Sequence, residues 1–96
     1  MSVTVLLVDD QELLRTGFRM VLQSQPDITV VGEAADGEEA VRLVAELQPQ
    51  VVVMDVRMPV LDGVAATERI VASGSASRVL VLTTFDLDEY AFASLR

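Results

Sequence analysis

The chain has 96 residues, 51% of them hydrophobic and 4% aromatic, so it is long enough for one domain with a small aliphatic core. It contains no cysteine and no histidine, which excludes disulfide bonds, thiolate or imidazole metal sites, and nucleophilic catalysis by Ser-His or Cys-His pairs. The net charge of -8 at pH 7 argues against nucleic-acid binding by these residues, and no apolar run approaches the roughly 20 residues of a membrane span, so we expect a soluble cytoplasmic protein.

The chain begins with the pattern of a buried strand followed by an amphipathic helix. Val3 to Val8 is almost continuously aliphatic, as in a strand that is buried on both faces, and Asp9 and Asp10 follow at its carboxyl end. Residues 11–23 carry apolar side chains at helical spacing. We therefore predict a helix there, with Asp9 or Asp10 capping its start.

Three further strand and helix units are predicted along the rest of the chain, each separated from the next by turn residues. They are an edge strand over 28–32 with a helix over 36–48, a strand over 51–55 with a helix from Asp62-Gly63 to 73–75, and a strand over 78–82 with a helix over 86–96. Residues 1–96 thus predict one α/β domain, with right-handed crossovers and helices on both faces of a largely parallel sheet.

Asp55 ends a very apolar strand. It follows Val51-Val52-Val53-Met54, and a carboxylate at the end of a doubly buried strand is costly unless chemistry requires it. Pro59 comes soon afterwards, so Asp55 is expected to open a loop where a ligand can reach it. Asp55 is therefore the first candidate for a functional residue.

Polar residues end three of the strands. The first, third and fourth strands are the most apolar and are predicted to lie centrally, so Asp9, Asp10, Asp55 and Thr83 should meet at one edge of the sheet. Carboxylates this close repel one another unless a cation lies among them, and oxygen ligands alone suit Mg²⁺ or Mn²⁺. Such a site permits an aspartate to attack a phosphoryl donor and become an acyl phosphate.

Some of these residues also have ordinary structural explanations. Asp10 alone is better explained as a helix cap than as a metal ligand, and Asp9 alone fits either role. Thr83 alone is a common type of strand residue, and Asp62-Gly63 is interpreted as a turn and helix cap. Taken together, four polar groups at three strand ends favour a functional site that includes Asp55.

Three stretches resemble the signatures of response-regulator receiver domains of two-component systems. They are Leu7-Val8-Asp9-Asp10, Val53 to Pro59 with Asp62-Gly63, and Val81 to Phe85, so the resemblance extends over the whole chain. Residues 11–18, 31–34 and 36–37 further resemble the branch whose receivers precede a LuxR-type helix-turn-helix. The resemblance implies a flavodoxin-like, doubly wound parallel sheet with the strand order 2-1-3-4.

The resemblance also implies roles for individual residues. Asp55 would accept a phosphoryl group from a histidine kinase, and Thr83 would hydrogen-bond to a phosphoryl oxygen. Asp9 or Asp10, together with Asp55 and the backbone carbonyl of Arg57, would hold Mg²⁺. Such a domain modifies itself, so it is not an enzyme in the usual sense, and it switches an output or dimerisation surface that regulates transcription in the full-length protein.

One departure from the family concerns a lysine at the end of a fifth strand, which pairs with the phosphoryl group. This sequence contains no lysine and stops in the fourth helix. We therefore expect a truncated chain, without the fifth strand, the fifth helix and any DNA-binding domain. An exposed edge on the fourth strand would favour a homodimer, which could be a swapped one. Because the lysine that pairs with the phosphoryl group is missing, metal binding is expected to survive better than phosphotransfer.

Other functions remain as alternatives. The main one is a receiver-like interaction or dimerisation module without effective phosphotransfer. A phosphatase of the haloacid-dehalogenase type would want a second acid two residues after Asp55, where Arg57 stands. A flavin or dinucleotide domain is disfavoured because no glycine-rich loop follows the first strand.

Overall fold

The computed structural model describes residues 2–55 and 62–82. Seven elements alternate in the predicted order: β1 (Val3–Val8), α1 (Glu12–Gln23), β2 (Ile28–Ala34), α2 (Gly37–Leu47), β3 (Val51–Asp55), α3 (Gly63–Ala72) and β4 (Arg78–Leu82). The predicted helix over 86–96 lies outside the described residues. No helix in the described part of the chain is long and apolar enough to cross a membrane.

The four strands form one parallel sheet in the order β2-β1-β3-β4, which confirms the predicted topology. β1 and β3 are central, as their apolar sequences predicted. β4 forms an edge of the described sheet, as the predicted order 2-1-3-4 implies, and Leu80 is 54% exposed, although the apolar sequence of β4 alone had favoured a central position. An apolar run does not by itself report how many strands flank it.

The main core lies between the sheet and the pair of helices α2 and α3. It is built from Leu6, Val8, Ala34, Val52 and Met54 of the strands and from Ala40, Val44, Ala66 and Ile70 of the helices. The alternate residues of β1 and β3 point to the opposite face, because successive side chains of a strand alternate. There Leu7 and Val53 line a small cavity with Phe18 of α1. Helices therefore cover both faces, as predicted.

β2 pairs with β1 through an irregular register. Val5 is level with Val30, but Leu6 is level with Gly32, so β2 contains one extra residue at this point. A Cβ atom on Gly32 would lie 2.8 Å from Cδ1 of Leu47, and the glycine therefore lets the end of α2 approach the sheet. β2 continues to Ala34, two residues beyond the predicted end, because pairing with β1 extends past the last apolar residue of the run.

The helix starts follow the capping pattern at two of three positions. Asp36 accepts a hydrogen bond from the Glu39 N–H at 2.8 Å, and Asp62 accepts one from the Ala65 N–H at 2.8 Å, so the cap predicted at Asp62 is confirmed. The cap predicted for α1 is wrong. Its N-cap is Gln11, which makes no side-chain capping bond, because Asp9 instead forms a tight turn with the Gln11 N–H before the helix begins.

The contribution of the α2 and α3 face can be measured on α3. Ile70 is 1% exposed and Val71, its neighbour, is 67% exposed. We expect Ile70→Ala to lower the free energy of unfolding by about 2–5 kcal/mol, because it removes buried apolar area and leaves a cavity. Val71→Ala should change it by less than about 0.5 kcal/mol. Urea unfolding of the two variants is the measurement, and equal losses would contradict the assignment of this face to the core.

Candidate functional site

The pairing of β1 with β3 sets two carboxylates side by side. Val8 is level with Met54 in the parallel register, so the next residues along the two strands, Asp9 and Asp55, are neighbours at the carboxyl edge of the sheet. Asp9 is 4% exposed and Asp55 is 2% exposed. Both acids are therefore held in a largely dehydrated environment by two central strands.

The structure brings together three of the residues that the sequence singled out. Carboxylate oxygens of Asp9, Asp10 and Asp55 all lie within 4.8 Å of one another, and Asp10 is the exposed member of the group. The other two, Arg57 and Thr83, lie outside the described residues. The predicted meeting of acids from the ends of β1 and β3 is therefore observed, while the contributions of Arg57 and Thr83 stay predictions.

Burial raises the pKa of the Asp9 carboxyl above its usual value. The negative charges of Asp55 and Asp10 raise this pKa further, and a hydrogen bond from the Gln11 N–H, 2.9 Å from Oδ1, opposes them. In the absence of a cation, the folded chain therefore holds Asp9 in its charged form at a cost.

The donor set suits a small hard cation. Three carboxylates supply oxygen ligands only, which is the chemistry that Mg²⁺ and Mn²⁺ prefer, and a positive charge would relieve the repulsion that raises the pKa of Asp9. A cavity of about 10 Å³ adjoins the two buried acids, with room for about one water molecule. Besides Asp9 and Asp55, its lining residues are Leu7, Val8, Arg15, Phe18 and Val53.

An arginine of α1 completes the wall of this cavity. Arg15 donates from Nε to Oε1 of Glu33 at 2.9 Å and from Nη1 to the backbone carbonyl of Asp9 at 2.7 Å. Arg19, one turn further along α1, donates to the other carboxylate oxygen of Glu33. The site at the end of β1 is therefore connected to α1 and to β2 by charged hydrogen bonds.

Glu33 keeps its charge in this arrangement. Burial alone would raise the pKa of Glu33, but the hydrogen bonds and positive charges of Arg15 and Arg19 outweigh it, so this pKa lies below its usual value. No role was predicted for Arg15 or Glu33 from the sequence. The available signal was a glutamate within an edge strand, facing a helix with arginines four residues apart.

The fold and the acids together define a class of protein. A doubly wound parallel sheet carries an oxygen-rich site beyond the carboxyl ends of its central strands. Residues 5–96 match the profile of the response regulator receiver domain. The chain belongs to this family, which confirms the predicted resemblance.

Relatives and solved structures agree with this assignment. The chain is 46% identical over 90 residues to the transcriptional regulatory protein LiaR of Bacillus subtilis, covering 94% of this chain and 43% of LiaR. The receiver domain of the putative response regulator NarL from Mycobacterium tuberculosis superposes with a TM-score of 0.85 at 32% identity, covering 98% of this chain and 76% of that one. A LuxR-family response regulator from Aurantimonas gives 0.84 at 36% identity, covering 99% and 68%. The chain thus spans less than half the length of LiaR and is related to LuxR-type transcriptional regulators.

The cost of charging Asp9 predicts how stability depends on pH. Because its pKa is raised by folding, the penalty is absent below the unfolded value of 3.8 and complete above the folded value. Asp9→Asn removes this penalty and keeps an oxygen for the Gln11 N–H. We expect the metal-free variant to unfold a few degrees above the wild type at pH 7, with a smaller difference as the pH falls towards 3.8.

Thermal unfolding followed by circular dichroism in the presence of a chelator measures this difference. If the cluster binds Mg²⁺, an excess of the ion should reverse the order at pH 7, because a ligand that binds only the folded wild type raises its Tm. A Tm difference that does not change with pH would contradict the argument from burial and charge.

Proposed function

We propose that this chain accepts a phosphoryl group on Asp55 and that Mg²⁺ assists the transfer. The observation that carries the proposal is the cluster itself: oxygens of Asp9, Asp10 and Asp55 within 4.8 Å of one another, at the carboxyl edge of a receiver-family sheet. The end of a central strand fixes the Asp55 backbone, and its neighbours supply carboxylates that could hold a cation.

The chemistry is a transfer between two nucleophiles. A carboxylate oxygen of Asp55 forms a bond to phosphorus while the bond from phosphorus to the imidazole nitrogen of a kinase phosphohistidine breaks, and the imidazole then takes a proton from solvent. When bound, Mg²⁺ would neutralise charge on the phosphoryl oxygens. Asp9 and Asp10 would hold the ion beside Asp55, and the ion would offset their charges.

Two further residues complete the proposed site. The backbone carbonyl of Arg57 would be another oxygen ligand of the ion, and the hydroxyl of Thr83 would donate to a phosphoryl oxygen. In the sequence, Arg57 comes two residues after Asp55, and Thr83 directly follows the end of β4.

Phosphorylation of the receiver would regulate an output region of the full-length protein. LiaR is a transcriptional regulatory protein and this chain covers 43% of it, so we infer that a receiver of this type controls an output region that binds DNA. The partner in phosphorylation would be a histidine kinase, and the receiver would work in the cytoplasm as a switch between two conformations.

The acceptor role predicts a specific covalent product. Incubation with acetyl phosphate and Mg²⁺ should add the mass of one phosphoryl group, and Asp55→Asn should lower the yield at least about tenfold because the nucleophilic oxygen is lost. Intact-protein mass spectrometry is the measurement. The adduct should be released by hydroxylamine, which cleaves acyl phosphates and leaves phosphoserine and phosphothreonine intact.

Asp62→Asn is the matched control. Asp62 caps α3 through the Ala65 N–H and is exposed, and asparagine is also a good capping residue. Its adduct yield should equal that of the wild type. Equal yields from the wild type and Asp55→Asn would overturn the proposed acceptor.

A second candidate function is self-association without effective phosphotransfer. The observation that favours it is the apolar surface of β4, where Leu80 is 54% exposed and Val81 is 37% exposed. Edge strands with exposed apolar side chains tend to pair with another chain. Two copies joined edge to edge along β4, or exchanging an element there, would form a homodimer.

Self-association is tested by sedimentation equilibrium of the 96-residue chain. If β4 mediates it, the weight-average mass should rise with concentration. Leu80→Lys should return it to that of a monomer, because burial of a lysine charge against another chain is costly. Val71→Lys, at a position of α3 that is 67% exposed, should associate as the wild type does. A wild-type chain that stays monomeric at high concentration would exclude this function.

A further inference from the structure

Arg15 joins three elements at the acidic edge of the sheet. From α1 it reaches Glu33 of β2 at 2.9 Å and the carbonyl oxygen of Asp9, just beyond β1, at 2.7 Å. Its side chain is only 16% exposed. The guanidinium is planar, so bonds from Nε and Nη1 to two fixed acceptors define the orientation of the whole group.

These bonds fix the main chain of Asp9, whose carboxylate belongs to the proposed metal site. The N–H of Asp9 donates to the carbonyl oxygen of Ala34 at 3.0 Å, its own carbonyl accepts from Arg15, and Oδ1 accepts from the Gln11 N–H at 2.9 Å. With both sides of the residue held, only the two side-chain torsions of Asp9 remain, and Gln11 restricts those. The carboxylate therefore has little freedom to move away from Asp55.

Arg19 provides a natural comparison on the same helix. It also forms an ion pair with Glu33, but through the other carboxylate oxygen, and it is more exposed than Arg15, at 39% against 16% of the side chain. Arg15 is the one that also lines the cavity beside Asp9 and Asp55. The two arginines thus share a partner and a charge and differ in contact with the site.

We propose that Arg15 is a positioning residue for divalent cations, acting through the backbone of Asp9 with Glu33 as its anchor. This role rests on the proposed function, because it presumes that Asp9 is a ligand of Mg²⁺. A purely electrostatic role predicts the opposite change in metal affinity. The positive charge of Arg15 would repel a bound metal ion, so removal of Arg15 would tighten metal binding. Positioning predicts that removal of Arg15 weakens binding.

The test is the Mg²⁺ affinity of four proteins by isothermal titration calorimetry: wild type, Arg15→Lys, Arg15→Met and Arg19→Met. Substitution of a residue that orients a metal ligand costs about tenfold or more in affinity, so we expect that loss in both Arg15 variants. Arg15→Lys keeps the charge but cannot make both bonds with a planar fork. Arg19→Met should stay within about twofold of the wild type.

A second readout separates positioning from a general loss of structure. Mg²⁺ requires a nearly regular octahedron of ligands, whereas Ca²⁺ accepts flexible geometry, so a loosened Asp9 should harm Mg²⁺ binding more. The ratio of Mg²⁺ to Ca²⁺ affinity should fall in both Arg15 variants and stay constant in Arg19→Met. Global destabilisation or loss of charge alone would lower or raise the two affinities together.

The results distinguish failure of the positioning role of Arg15 from failure of the proposed metal site. Wild-type binding that is matched or exceeded by Arg15→Met overturns the positioning role and leaves the metal site standing. Wild-type protein that binds no Mg²⁺ overturns the proposed metal site, and the role of Arg15 with it. Should Arg15→Met fail to fold by circular dichroism, Glu33→Gln, which keeps Arg15 and weakens its anchor, must show the same fall in the Mg²⁺ to Ca²⁺ ratio, and an unchanged ratio overturns the inference.

Discussion

The parallel pairing of β1 with β3 is the constraint on which the rest of the site depends. Val8 and Met54 are level, and both are almost fully buried, so the two strands cannot slide without exposing core side chains. The acids that follow them must then lie side by side. Core packing contributes about 1.5–3 kcal/mol for each large apolar side chain buried. It thus holds together the carboxylates of Asp9 and Asp55 against their mutual repulsion.

The resulting site is strained in the electrostatic sense and well suited to a cation. The raised pKa of Asp9 records the cost of placing carboxylates in a dehydrated corner, and the same cost becomes affinity when a positive ion enters. Glu33 shows the opposite arrangement, since two arginines compensate for its burial and lower its pKa. The chain therefore keeps one carboxylate, Asp9, at a raised pKa, and compensates the charge of another, Glu33, with two arginines.

Much of this could be predicted from the sequence, because the dominant signals were local. Aliphatic runs marked the strands, and alternation of strands with helices fixed the parallel topology, from which the meeting of Asp9, Asp10 and Asp55 follows. The features that escaped prediction depend on partners distant in sequence. The bond from Arg15 to the Asp9 carbonyl, for example, depends on how α1 lies on the sheet. Asp10 fits the statistics of a cap, but the turn at Asp9 moves the N-cap to Gln11.

The extra residue in β2 determines to which face of the sheet Glu33 points. Residues level with each other on parallel strands face the same side, so Glu33, level with Leu7, faces α1 and its arginines. With a regular register after Val30, Glu33 would be level with Val8 and would point into the apolar core under α2 and α3. The spacing between Val30 and Glu33 is therefore as constrained as the identity of the acids. A change of length there would turn a useful carboxylate into a buried charge, so β2 should tolerate substitution on its exposed side far better than insertion or deletion.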